Sequence, residues 1–179
     1  AVRHDGAVYH GTSKGELIKF LDGVDFLCGH NIVRHDAKFL FGEGAQKWQL
    51  IDTLYVSPLL FPERPYHKLL KDEKLQTDEL NNPVNDCHKA RDLFMDEVAA
   101  WRRLPQEIQT IYAVLLRDKT EFAGFVEIVE DKERDELTNE ALSELILQNY
   151  KGKICENADL AALIESHPIE LAYALALIA

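Results

Sequence analysis

The stretch Asp25-Phe26-Leu27-Cys28-Gly29-His30-Asn31 restricts this chain more than any other. An apolar run, read as a strand over residues 24–28, ends in Gly-His-Asn and opens a helical segment that carries Asp36. A second segment, residues 82–101, sets Val84, Cys87, Leu93, Phe94, Val98 and Trp101 largely at helical spacing and holds Asp86. Two carboxylates on separate helices packed against one sheet can converge on a divalent cation. Magnesium and manganese favour such oxygen donors, and two-metal sites of this kind cut phosphodiesters.

These pieces resemble the DnaQ-like (DEDD) family of 3′–5′ exonucleases, on a ribonuclease-H-like fold. The second motif of that family is matched by Gly29-His30-Asn31, with Asp36 five residues after the Asn, and its third by Asp86 followed by Leu93-Phe94. Between them, Ile51-Asp52-Thr53-Leu54 is similar to the strand end and helix start of the family, with Asp52 suited to cap the helix. The opening, residues 1–10, resembles the second and third strands joined at a tight turn. The resemblance covers residues 1–103 or so and recurs in order. It implies a mixed sheet flanked by helices, with Asp36 and Asp86 as catalytic metal ligands for Mg2+ or Mn2+, and single-stranded DNA ahead of RNA as substrate.

Two features depart from the pattern. The resemblance implies an Asp-x-Glu on a strand upstream of Val2, and the only literal Asp-x-Glu, Asp131-Lys132-Glu133, lies in a charged run unsuited to a central strand. The expected general base is replaced by Asn81, which can position a water but cannot take its proton near neutral pH. The first residues read as mid-sheet and the last as an uncapped apolar helix, so pieces are expected to be missing on both sides. Similar domains open some bacterial RecQ-type helicases. The expectation is therefore an exonuclease domain of a larger DNA-processing polypeptide, inactive as this fragment; the alternative is a non-catalytic docking or regulatory module on the same fold. No phosphate-binding Gly-x-x-x-x-Gly-Lys-Ser/Thr loop occurs in these residues.

A formal net charge of −11 argues against a surface that binds nucleic acid indiscriminately, because phosphate contacts dominate such affinity. It leaves room for a nuclease cleft, which is acidic until metal fills it. Local bases would then hold the strand: Arg64, His67, Lys68, Lys71 and Lys74, with Asn31 at the turn, or the basic run is a solvated face interleaved with Asp72 and Glu73. Tyr66 and His67 either stack on a base or pack on the surface. His30 reads as shaping the strand-to-helix turn, and His35 as exposed. No apolar run reaches the roughly 20 residues of a membrane span. Cys28, Cys87 and Cys155 show no chelating pair and read as reduced, mostly buried thiols of a cytoplasmic protein.

Along the chain, His4-Asp5-Gly6 signals a hairpin, Thr12 or Ser13 caps a helix through Leu21, and helices are expected over 32–41 and 53–60. Residues 65–70 look like a short helix near the site. Pro105 marks a boundary between an α/β domain, 1–104, and a helical extension, 105–179, with helices over 106–117, 138–150, 157–166 and from 168 onward. Residues 122–130 suit either helix or strand, and the extension carries no chemical motif.

Overall fold

The computed structural model describes residues 1–69, 82–130, 137–155 and 157–179, a mixed α/β structure that is mostly helical. Ser13 opens α1 (Lys14–Phe20) by accepting the Glu16 N–H, and Gly23, at φ 73°, takes the left-handed turn beyond its end. Strand β1 (Phe26–Gly29) then runs into a π-helical turn, Ile32–Asp36, and α2 (Ala37–Phe41). A 3-10 turn, Gly42–Lys47, leads to β2 (Gln49–Asp52) and α3 (Thr53–Leu60). The two strands pair in parallel, Phe26 opposite Gln49 and Gly29 opposite Asp52. Both therefore end at one level, and their strand-to-helix turns lie side by side.

Helix α4 (Pro83–Trp101) has Asn82 as its cap, accepting the Val84 N–H, and Pro83 at its first position, where no N–H is needed. It crosses β1 and α3. Four helices carry the core onward: α5 (Gln106–Leu116), α6 (Ala123–Val129), α7 (Asn139–Asn149) and α8 (Leu160–Ser166). The last, α9 (Pro168–Ile178), packs on α3 and α5. Phe122, Phe125 and Val126 are buried at helical spacing, which decides residues 122–130 in favour of helix. Helix α6 lies so close to β2 that a side chain at Gly124 would collide with the Leu50 carbonyl oxygen.

One hydrophobic core runs through position 105. Trp101 of α4 meets Phe125 edge-on at 5.7 Å and Tyr112 at 6.4 Å, while Ile51 and Val56 join the same cluster. Aromatic pairs at these separations add to the area they bury.

Several expectations are corrected. Among the described residues the sheet consists of two parallel strands. The first ten residues do form a hairpin, but it is closed by a single Val2–Val8 bridge and leans on α1, with Tyr9 and Arg3 against Phe20. Residues 61–69 contain no helix; Phe61 and Arg64 each precede a proline, which disfavours helical backbone. The helix expected over 32–41 is split, because the Asn31 and Val33 amides bond to Asp52 and the turn widens to a π geometry. No disulfide joins the cysteines, yet Cys28 on β1 and Cys155 in the turn after α7 are exposed.

Candidate functional site

The polar groups of the molecule gather where the two parallel strands end, the place where α/β folds usually receive ligands. Asp52 is their centre. It is fully buried, and its carboxylate accepts three backbone N–H groups, from Asn31 at 2.7 Å, Val33 at 3.0 Å and Leu54 at 3.1 Å. One side chain thus caps α3 and also fastens the turn after β1. Burial pushes its pKa up, while the three N–H groups and His30 pull the other way. Asn31 takes a left-handed conformation, φ 68°, a cost asparagine tolerates, and its amide is held by Asp52.

His30 follows β1 and turns its Nδ1 to the Thr53 hydroxyl at 2.9 Å; that hydroxyl reaches the Gly29 carbonyl at 3.4 Å. The direction of the Nδ1–Thr53 bond depends on the imidazole tautomer; Nε2 is buried. Burial lowers the His30 pKa, outweighing the opposite pull of Asp52 and of the His67 backbone. His67 bonds the Ser57 hydroxyl at 2.9 Å, and burial followed by the Arg64 charge lowers its pKa. This is no nucleophilic pair, because Ser57 is 1% exposed and no substrate reaches it.

Glu97 was not singled out from the sequence. It lies on the buried face of α4 with Ala90, Val98 and Trp101, is fully buried, and neither carboxyl oxygen has a hydrogen-bond partner. Burial, with Asp52 adding to it and Arg64 opposing, pushes its pKa up to about 9. At pH 7 it is a neutral acid. The signal was available: Glu97 stands seven residues after Ala90 and four before Trp101, on the apolar stripe.

The residues expected to bind metal are placed differently. Asp36 ends the π-helical turn, exposed, with His35 Nδ1 3.8 Å from its Oδ1. Asp86 is exposed in the first turn of α4. Both are hard oxygen donors suited to magnesium, but among the described residues no three His, Cys, Asp or Glu side chains gather to hold an ion. The donor chemistry fits; the number of donors does not. His67 is half-buried and Lys68 exposed, while Lys71, Lys74 and Asn81 lie outside the described residues. Beside the site, an open groove of about 520 Å³ runs between Leu60–Arg64 and the end of α9.

The chain matches no protein-family model, no curated protein and no solved structure. Among the described residues, no helix is long and apolar enough to cross a membrane.

Proposed function

We propose that this chain is a ribonuclease-H-like domain of the DnaQ-like 3′–5′ exonuclease type, part of a larger DNA-processing polypeptide such as a helicase. The observation that supports the reading is the paired turn at the strand ends. Gly29-His30-Asn31 and Asp52-Thr53 are joined through one buried carboxylate, and the first turn leads straight to an exposed Asp36. In this reading Asp36 and Asp86 contribute two donors to a Mg2+ or Mn2+ centre, and further donors come from beyond the described residues. The metal, when bound, would polarise the phosphodiester and activate water. The chain's own part is to hold the turn that carries Asp36 through Asp52. Single-stranded DNA is the proposed substrate, ahead of RNA.

The test is trimming of 5′-labelled single strands by the full polypeptide with manganese. The expected result is stepwise shortening from the 3′ end, abolished by Asp86→Asn. Full-length protein that leaves every strand intact, with either metal, refutes the reading. The alternative, a non-catalytic docking module, is favoured by one observation: the described residues gather no third metal ligand. Under it, Asp86→Asn changes nothing.

A further inference from the structure

Residues 61–69, the stretch after α3 that holds no helix, are pinned to the end of the sheet by two imidazoles. From within the stretch, His67 turns its Nδ1 to the Ser57 hydroxyl of α3 at 2.9 Å. From the other side, His30 bonds the Thr53 hydroxyl at the start of α3, and its ring lies against the His67 backbone. Ser57 and Thr53 are both buried, so each imidazole holds to a fixed point. Besides these two rings, no hydrogen bond among the described residues ties residues 62–69 to the rest of the chain. Within the stretch, the Arg64 N–H bonds the Phe61 carbonyl at 3.0 Å, and the Arg64 guanidinium rests 3.7 Å from the Phe61 ring centroid.

Protonation alone breaks neither imidazole bond, because a charged ring still donates from Nδ1. The cost lies in the charge itself. Burial disfavours an imidazolium at both positions; the Arg64 cation adds to this at His67, and a charged His67 adds to it at His30. Both pKa values are therefore lowered from 6.5. Asp52, at the end of β2, and the His67 backbone favour charge on His30 without outweighing its burial. Glu97 of α4, which also feels Asp52 and Arg64, holds its proton up to about 9 and so offers no negative charge at acid pH. Acidification thus crowds two new positive charges beside Arg64, with Asp52 alone opposing among the groups that act on the pair.

We infer that His30 and His67 form an acid-sensitive latch: with both rings neutral they seat residues 61–69 against α3 and the end of β1, and protonation of the pair releases that stretch while the helical core stays folded. A released stretch, with its rings in water, takes up protons near 6.5, and the seated one only at lower pH. Release therefore grows as pH falls below about 6.5 and gains nothing above it. Each proton taken up on release favours it by up to about tenfold per pH unit, and two together by up to about 100-fold. The latch involves neither metal nor substrate, so it stands or falls apart from the nuclease reading.

The test follows the isotopically labelled chain by nuclear magnetic resonance from about pH 7.5 to about pH 5. It reads the ring resonances of the histidines and the exchange protection of the Arg64 amide, corrected for the intrinsic pH dependence of exchange. Arg64 protection is expected to fall as the His30 and His67 rings titrate, while the buried Ile111 and Leu115 of α5 keep theirs. His67→Gln keeps a hydrogen-bonding amide for Ser57 but loses one proton site, so the fall is expected to become shallower, at most about tenfold per pH unit. His30→Gln with His67→Gln is expected to make Arg64 protection independent of pH. His10→Gln, an exposed imidazole elsewhere, is expected to change nothing. Arg64 protection that stays flat while both rings titrate overturns the latch, as does a pH dependence that survives in the double variant. Loss of Ile111 and Leu115 protection at the same pH as Arg64 also overturns it, since the whole fold is then opening.

Discussion

Exchanging Glu97 for glutamine removes a titration that burial imposes on the whole fold. The folded carboxyl is pushed up to about 9, against an ordinary 4.5 when the chain unfolds. Below pH 4.5 both states hold the proton and the residue costs nothing. Between 4.5 and 9 the unfolded chain releases a proton that the folded one keeps, so stability falls as pH rises. The loss is on the order of 3 kcal/mol from about pH 5.5 to pH 7.5. Because Glu97 is fully buried, solvent does not screen this effect. Glutamine cannot lose a proton, though its amide brings its own unpaired donors at a cost of about 1–3 kcal/mol that does not depend on pH. The signature is therefore a slope. Denaturant unfolding followed through the buried Trp48 and Trp101 should show the variant gaining on the order of 3 kcal/mol on the parent between those two pH values. Parallel stability curves would refute the reasoning and mean that Glu97 is ionised and partnered in the fold.

Asp52→Ala strands three amide donors in the interior and should cost at least about 3 kcal/mol, read as a lower denaturant midpoint; Asp52→Asn, which keeps acceptor oxygen, should cost less. Gly124→Ala drives a methyl group into the Leu50 carbonyl and should destabilise by about 1–3 kcal/mol in the same assay, whereas Gly44→Ala, in open space, should not. Asp86→Asn lies on an exposed first turn, so its melting temperature should stay within error of the parent even where nuclease activity is lost.

Local chemistry was the legible part of this sequence. Ser13, Asp52 and Thr138 each cap a helix as side-chain oxygens before apolar segments do, and β1 and β2 stand within two residues of where the apolar runs put them. What local signals could not carry was decided between elements. The π geometry at Ile32–Asp36 arises because Asp52, from the other strand, takes the turn's amides. Glu97 stands on the apolar stripe of α4 and is sealed in where α4 settles over β1 and α3. Cys28 looked like a buried strand residue, yet its side chain keeps solvent exposure at the edge of the α4–β1 contact. Of the candidate site, the Gly-His-Asn turn and Asp52 as a helix cap were readable; the hold of Asp52 on that turn and the partnerless Glu97 carboxyl needed the third dimension.

The central claim is that Asp36 and Asp86 face one shared cation. Manganese titrated into the isotopically labelled chain, with amide resonances followed by nuclear magnetic resonance, tests it most directly. The account predicts that signals around Asp36 and around Asp86 broaden together at the same manganese concentration, and that either Asp36→Asn or Asp86→Asn abolishes the broadening at both places. Broadening at one carboxylate while the other stays sharp, or no broadening at either, contradicts it.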